Sequence, residues 1–433
     1  MNKHFYKNKN TQKTSLKLLT PIFGLLALSS TSQAATFDLS GDYRFGTNMY
    51  QNLGFAGGSD NLNFWEHRFR LNPDVLIDQH FKFRSQMIFL GTTNGATSEA
   101  LPSQMGTAID GGLTANSGKQ SLLLQHAYLE WASDWGLLRV GRVPKAWGLG
   151  ALYRQPDTFL SDYGSFSDRI DFKAMLGNLG LTIGFEKRNE GDLRRDSDDS
   201  DAYILSMDYS NPESGLASGI LYERVVTGAS APTTLRNSSH DLSIFAKKTW
   251  GTFSLGSEFA MLSEQGIDPR TGVLLQANEE GSGLRFGADF AYATSSSNST
   301  FIFNPNYRPL MLLFRQTLGP ASSAAVRGAG GQGVGSDITG TNGGGAYLAK
   351  AHLAHQFKNS SFQLGGQLGW AALTNAASNG ETGLGIEADI SLVQKWYDNF
   401  KVYYAGALLI PGDAWGSNPK TAWGLELKGV IEF

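Results

Sequence analysis

The sequence predicts an all-β protein, a transmembrane antiparallel β-barrel of about 18 strands, with 16 strands as the alternative. Three observations lead to this fold class. A secretion signal opens the chain, apolar residues then recur at every second position in stretches of roughly ten, and short connections alternate with long ones. After the signal, no uninterrupted apolar run reaches the roughly 18 residues of a membrane-spanning helix. A membrane crossing would therefore need a closed barrel, in which every backbone group is paired.

The first 34 residues have the three parts of a cleavable signal peptide. A mostly apolar stretch runs from Leu18 to Leu28, and Ser32 to Ala34 form a small-x-small cleavage site. The apolar stretch is too short to cross a bilayer of roughly 30 Å as a helix. We predict a signal peptide over 1–34 and a mature barrel over 35–433, with cleavage after Ala35 as the alternative. The basic residues that precede the apolar stretch are Lys3, Lys7, Lys9, Lys13 and Lys17.

Composition and motifs exclude several classes of function. The net charge is −3, with 36 basic and 39 acidic side chains, so the basic excess that nucleic-acid binding requires is missing. With no cysteine, the chain has no thiolate metal site, disulfide or cysteine nucleophile. His126, Tyr128 and Glu130 share a strand face, but no nucleophile motif or HExxH spacing accompanies them. The run from Asp196 to Asp201 lacks the glycine and glutamate of a calcium loop. We expect no enzyme activity, no cofactor, no metal site and no nucleic-acid partner.

The alternation of apolar and polar residues is clearest in the last stretch of the chain. It ends on Phe433, and a terminal phenylalanine after such a stretch resembles the signal that the barrel-assembly machinery reads in outer-membrane proteins. We therefore expect that machinery to be a partner. One face carries Trp423, Leu425, Leu427, Ile431 and Phe433, and the other carries Glu426, Lys428 and Glu432.

Eighteen stretches show this alternation, and an even number places both ends of the barrel on the periplasmic side. Tight turns such as 78–80 and 133–135 interleave with long polar loops such as 92–118 and 319–345, the arrangement of outer-membrane barrels. No plug domain precedes the first strand, so an open lumen is expected. The strands are predicted near 36–49, 60–78, 81–92, 119–133, 136–145, 169–176, 179–188, 201–210, 215–227, 238–249, 251–263, 282–294, 299–317, 346–358, 361–373, 383–396, 398–410 and 421–433.

The same alternation predicts which charged side chains face the lumen. A charge on the lipid face costs roughly 2 to 4 kcal/mol at mid-depth, so the inward set should be enforced. Arg142 would face outward unless a bulge near Gly141 shifts the register, and we expect that bulge. The remaining inward charged residues that we predict to line the pore are Glu66, Arg68, Arg70, Lys82, Arg84, Arg139, Arg169, Asp171 and Lys173.

The third long loop, Trp147 to Asp168, is a candidate constriction. In general porins the third external loop folds into the lumen and sets acidic groups against basic wall residues. A wide lumen needs such a constriction to select solutes by size or charge. The candidate residues in this loop are Arg154, Asp157, Asp162 and Asp168. In the alternative interpretation, the charged residues of the wall only pair with one another in a hydrated interior.

Three stretches of the chain resemble long outer-membrane barrels. They are RVGRVPKAWGLGALYRQPDTFLSDYGSFSDRIDF (Arg139–Phe172), FIFNPNYRPLMLLFR (Phe301–Arg315) and GIEADISLVQKWYDNFKVYYAGALLIPGD (Gly385–Asp413). The last is similar to the end of alginate-export and related porin-like barrels. That resemblance implies 18 strands and a basic lumen that passes an anionic polysaccharide. It covers about a fifth of the chain and carries no complete arginine-lined pathway.

The pattern as a whole favours an outer-membrane, porin-like channel for passive diffusion of small hydrophilic solutes or ions, with a mild preference for anions. Expected partners are outer-membrane lipid and lipopolysaccharide, small solutes and, as one possibility, two further copies in a homotrimer. Two alternatives stay open. One is a structural or adhesive barrel with a closed lumen, and the other is a specific exporter of an acidic polymer.

Overall fold

A computed structural model describes residues 35–52, 62–89, 91–93, 100–104, 122–155, 165–189, 199–228, 238–265, 268–281, 283–294, 301, 303, 304, 307, 309–313, 345–358, 360–376, 379–415 and 418–433. The predicted signal peptide, 1–34, lies outside them. In this part of the chain the only helical element with defined bounds is a 3-10 turn, Asp413–Trp415. The strands are β1 (Thr36–Gln51), β2 (Leu62–Leu76), β3 (Phe81–Phe89), β4 (Gly91–Thr93), β5 (Ala100–Gln104), β6 (Leu122–Ser133), β7 (Gly136–Lys145), β8 (Ser165–Leu176), β9 (Leu179–Asn189), β10 (Ser200–Asn211), β11 (Leu216–Thr227), β12 (Ser239–Trp250), β13 (Phe253–Glu264), β14 (Arg270–Glu280), β15 (Leu284–Ala293), β16 (Ala346–Gln356), β17 (Phe362–Leu373), β18 (Gly383–Tyr397), β19 (Phe400–Pro411) and β20 (Ala422–Glu432).

Eighteen of these strands form a closed antiparallel barrel, which confirms the predicted fold class. Each pairs with its neighbour in chain order, except that β3 pairs directly with β6. The short strands β4 and β5 pair with each other within the second long loop, and β5 also pairs with β2. β1 closes the barrel against β20, with Asp42 opposite Glu432 and Gln51 opposite Trp423. The main chains of Gly41 and Phe433 complete this seam with hydrogen bonds of 2.9 and 3.1 Å.

The strand count was predicted correctly through two errors that cancel. No strand was predicted over 270–280, but this stretch forms β14 and pairs along its length with β13 and β15. The stretch 299–317 was predicted to be a strand, but none of its described residues, which lie between Phe301 and Leu313, is in a strand. It belongs to the long loop between β15 and β16, and its apolar residues are buried inside the barrel.

The barrel presents an apolar outer face and a polar inner face. Large apolar side chains are exposed at every second position, as at Leu205 and Met207 of β10 and Leu425 and Leu427 of β20, while Glu426 between the last two is buried. Among the described residues, no helix is long and apolar enough to cross a membrane. Exposed aromatic side chains gather near both ends of the strands, as in the aromatic girdles of outer-membrane barrels. They include Trp65, Tyr203, Tyr222, Tyr347 and Trp370 at one end and Trp131, Trp135, Trp250, Phe253, Trp396 and Tyr397 at the other.

Candidate pore constriction

A dense ion-pair network lies on the inner face where the barrel closes. Arg44 of β1 and Lys428 of β20 contact the same oxygen of Glu66 at 3.6 and 3.1 Å. Arg68 and Arg70 of β2 both contact Asp42 of β1, at 3.2 and 2.5 Å. Three of the predicted pore residues, Glu66, Arg68 and Arg70, are thus brought together across β1, β2 and β20. Because Glu66 and Arg68 are also buried, they stabilise the seam and leave little charge open to the lumen.

The two basic side chains of β3, Arg84 and Lys82, are more open to water. Arg84 contacts Glu130 at 2.8 Å and Asp74 at 3.8 Å, and 39 % of its side chain is exposed. Lys82, nearer the periplasmic turn, is also exposed and lies opposite Glu130 in the register. These contacts keep the basic groups within reach of solvent inside the barrel.

The neighbouring wall of β7 and β8 contains a second group of predicted residues. Arg139 and Arg169 share Asp171, at 2.9 and 2.6 Å. Lys173 contacts Asp208 of β10 at 2.9 Å and keeps 31 % of its side chain exposed. Basic side chains from β7 and β8 therefore extend the basic wall beyond β6.

The bulge expected near Gly141 is absent, because β7 pairs with β6 and β8 through this residue without a register shift. Alternation puts Arg142 and Asp168 on the same strand face as the exposed Val140 and Ile170. Near the ends of their strands, both also line a cavity with Lys145. They lie opposite each other and form an ion pair at 3.9 Å. A bulge does occur between β3 and β6, where Gln86 pairs with His126 and Met87 with Leu124. Of the loop candidates, Arg154 is half-buried, and Asp157 and Asp162 lie outside the described residues.

The described part of the third long loop, residues 146–155, is here named the L3 segment. It lies against the inner wall of β11–β13. Glu258 of β13 accepts hydrogen bonds from the main-chain N–H groups of Leu149 (2.6 Å) and Ala151 (3.2 Å). The Trp147 ring packs edge-on against Phe245 of β12, with centroids 5.2 Å apart. The segment thus contacts an acidic side chain of the wall through its backbone amides.

Tyr153 connects the L3 segment to a buried charge network. Its hydroxyl donates to Glu223 of β11 at 2.6 Å, and the ammonium of Lys145 lies 3.9 Å from its ring centroid. Lys145 also contacts Glu186 and Glu223, at 2.8 and 3.0 Å, and Arg188 contacts Glu223. Burial, followed by the charge of Glu223, raises the pKa of the Tyr153 hydroxyl well above its ordinary value of 10. The hydroxyl therefore remains a donor at physiological pH.

The described residues between Phe301 and Leu313, here named the L7 segment, occupy the inner side of β14–β20. Its leucines are fully buried in one apolar cluster with wall residues such as Leu348 and Leu409. Glu387 of β18 accepts from the main-chain N–H groups of Leu312 and Leu313, at 2.6 and 2.8 Å. Asp389 accepts from the N–H of Met311 at 3.2 Å. Both inserted segments are therefore held to the wall by carboxylates that bind backbone amides.

Two wall glycines make room for the L7 leucines. A Cβ at Gly369 of β17 would lie 2.5 Å from Cδ2 of Leu310, and a Cβ at Gly424 of β20 would lie 2.8 Å from Cδ2 of Leu312. Both separations are far below van der Waals contact. A side chain at either wall position would therefore force the leucine that packs on it to shift.

Sequence reasoning missed the residues that anchor the two segments. Glu258, Glu387 and Asp389 were not among the predicted pore residues, and the L7 segment was assigned to a strand. One signal was available. The run Pro309 to Leu313 is apolar at successive positions, so it lacks the alternation of a barrel strand with one lipid face.

Comparison with solved structures agrees with this architecture. Pseudomonas aeruginosa OccK9 (OpdG) matches with a TM-score of 0.56 at 12% identity, covering 92% of this chain and 99% of that one. Acinetobacter baumannii OccAB4 matches with a TM-score of 0.53 at 13% identity, with coverage of 92% and 98%. The molecule has a porin-like barrel fold. P. aeruginosa OpdK, solved with vanillate, matches this porin-like barrel with a TM-score of 0.53 at 12% identity, again with coverage of 92% and 98%.

No protein-family model and no curated protein matches the sequence. At these identities the structural likeness establishes the fold of the porin-like barrel.

Proposed function

We propose that the protein is an outer-membrane channel for passive diffusion of small hydrophilic solutes, with a modest preference for anions. The observation that carries the preference is the unequal exposure of charge inside the barrel. Glu223, Glu258 and Glu387 are each at most 1 % exposed, because basic side chains or the inserted segments cover them. On the other side, Arg84, Arg139 and Lys173 keep 39 %, 22 % and 31 % of their side chains exposed. The carboxylates that they contact most closely, on Glu130, Asp171 and Asp208, keep 16 %, 1 % and 25 %, while Asp74 keeps 38 %.

This asymmetry gives a physical reason for the preference. The L3 and L7 segments lie against β11–β20, so the water path follows the remaining wall, where the exposed arginine and lysine side chains lie. A cation-lined passage attracts anions and raises the barrier for cations. One barrel of the same fold was solved with vanillate, an organic anion. Vanillate is therefore a suitable first test solute here.

A closed structural or adhesive barrel is the second candidate, because two segments enter the lumen and pack on its wall. Single-channel recording of the refolded mature protein in a planar bilayer distinguishes the two. Discrete, long-lived current steps are expected for the channel, with a reversal potential in a salt gradient that has the sign of anion preference. Correctly folded protein that passes no current would support the closed barrel instead.

The remaining alternative, an exporter of an acidic polymer, makes a different prediction in the same recording. A polymer that enters a matched pathway should block the current saturably at low concentration. Vanillate at the same charge concentration should then have little effect. For the small-solute channel we expect the reverse, a current carried by vanillate and no saturable block by polymer. Homotrimer formation and assembly through Phe433 also stay predictions, which cross-linking and deletion of Phe433 would test.

A further inference from the structure

The two inserted segments are joined at one buried residue, Asn304 of the L7 segment. Its main-chain N–H donates to the carbonyl of Ala151 at 2.8 Å. Its side-chain Nδ2 donates to the carbonyl of Leu152 at 3.0 Å and to the Ser165 hydroxyl at 2.8 Å. One residue of the L7 segment thus contacts two positions of the L3 segment and the first residue of β8.

Asn304 also organises its own segment, since its carbonyl accepts from the N–H of Tyr307 at 2.7 Å. The rings around it form a small apolar contact. Phe301 and Phe303 lie edge-on with centroids 5.1 Å apart, and Phe303 is 5.3 Å from Tyr307. Leu152 of the L3 segment packs against the same cluster. The junction therefore combines directed hydrogen bonds with apolar packing.

Away from this junction, each segment has its own anchor on the wall. The L3 segment is held by Glu258 on β13, and the L7 segment by Glu387 and Asp389 on β18. Four strands separate β13 from β18 in the barrel. With these wall anchors alone, the L3 and L7 segments would be held independently of each other. Asn304 supplies a directed polar contact that joins the two segments.

We propose that Asn304 is a positioning residue that latches the L3 and L7 segments into a single constriction, so that its side-chain amide sets the width and steadiness of the permeation path. The inference rests on the proposed channel function for its electrical readout. The latch itself can be measured without current, through the accessibility of the two segments.

The first experiment compares wild type with Asn304→Ala and Asn304→Asp, which both remove the two Nδ2 donor bonds. The aspartate variant keeps nearly the same shape, so it tests the donors separately from packing. Asn379→Ala is the matched control, because Asn379 also bridges two external loops, donating to the Asp413 carbonyl at 2.8 Å, but is exposed. We expect single-channel conductance to rise at least about two-fold in both Asn304 variants. Current fluctuations should increase as well, and the control should match wild type.

The second experiment measures protease cleavage within the L3 and L7 segments of the folded protein in vesicles. Loss of two buried hydrogen bonds should raise the open fraction, and hence the cleavage rate, by about ten-fold. The chain contains no cysteine, so the pair Ala151→Cys with Asn304→Cys introduces the only two thiols. The main-chain bond holds these positions adjacent, within reach of a disulfide. Oxidation should restore slow cleavage and low conductance, and reduction should abolish both.

The outcomes separate the latch from the channel function. If wild type passes no current but Asn304→Asp is cleaved faster, the channel proposal fails and the latch stands. If both Asn304 variants fold, as heat-modifiable mobility would show, and match wild type in cleavage, the latch is refuted. If the variants are cleaved faster but conduct like wild type, the proposal is also refuted, because the junction would then not set the width of the permeation path.

Discussion

At the scale of single residues, the decisive interactions are carboxylates that accept hydrogen bonds from main-chain N–H groups. Glu258 and Glu387 each bind two amides of an inserted segment in a buried setting. Hydrogen bonds to a charged acceptor are stronger than neutral ones, and leaving a buried donor unpaired costs free energy. Two side chains therefore hold segments that make no strand pairing of their own.

Substituting Glu258 tests this directly. In Glu258→Ala the N–H groups of Leu149 and Ala151 both lose their shared acceptor, Oε2 of Glu258. We expect the segment to be destabilised by about 1 to 3 kcal/mol, with faster protease cleavage in folded protein. Glu381→Ala, in an exposed loop, is the control and should leave cleavage unchanged. A Glu258 variant as resistant as wild type would show that the carboxylate does not anchor the segment.

Asp78, in the turn between β2 and β3, gives a pH-dependent prediction. Its carboxylate accepts from the N–H groups of His80 and Phe81, at 2.7 and 2.8 Å, and these bonds lower its pKa below the ordinary value of 3.8. A lowered pKa means that the charged form contributes stability above the unfolded-state pKa and loses it as pH falls through the folded-state pKa. Asp78→Ala should therefore be less stable than wild type near neutral pH. The difference in urea midpoint should shrink below about pH 4, and a pH-independent difference would contradict this origin.

At the scale of elements, the seam between β1 and β20 holds the barrel closed. Besides its main-chain bonds it contains the buried pairs of Glu66 with Arg44 and Lys428. Because a buried charge that loses its partner is expensive, this seam should be sensitive to single substitutions.

We expect Glu66→Gln to lower the free energy of unfolding by about 3 to 5 kcal/mol, since two buried cations lose a counter-charge. Urea unfolding in micelles, followed by gel mobility, measures the change. The control is Asp398→Asn, which removes an exposed ion pair with Lys395 at 3.1 Å and should cost at most about 1 kcal/mol. Equal effects of the two substitutions would mean that burial does not strengthen the seam.

The elements also show what the sequence could and could not predict. Alternation located 17 of the 18 barrel strands, because lipid on one side enforces an apolar side chain at every second position. It failed at β14, whose lower part carries Gln276, Asn278 and two glutamates and so resembles a loop. It failed again at the L7 segment, whose apolar residues pack inside the barrel instead of facing lipid. In a single sequence, an apolar side chain that packs inside the barrel looks the same as one that faces lipid.

At the scale of the whole molecule, the inner wall is divided by charge exposure. The basic residues of β2, β3, β7 and β8 were predicted from alternation, since charge is excluded from the lipid face. The covering of the opposite acidic wall was not predictable, because it depends on where two long loops come to rest. The proposed selectivity follows from this covering and not from net charge, which is close to neutral.

Removing exposed basic groups should weaken the preference for anions. For Arg84→Gln combined with Arg139→Gln we expect the anion-to-cation permeability ratio to fall by at least about two-fold, measured as a shift in reversal potential. Lys358→Gln, in an exposed turn, removes one positive charge outside the barrel wall and serves as the control. An unchanged reversal potential in the double variant would contradict the assignment of the path to this wall.

The anchoring of both segments through backbone amides has an evolutionary consequence. Every residue except proline supplies a main-chain N–H, so Glu258 and Glu387 can hold their segments whatever side chains these carry. Substitutions at neighbouring loop positions can therefore reshape the passage without detaching it from the wall. Proline at Leu149, Ala151, Leu312 or Leu313 would remove an N–H that is bonded to one of these two carboxylates. Such a barrel can acquire new solutes by drift in its loops while its scaffold stays intact.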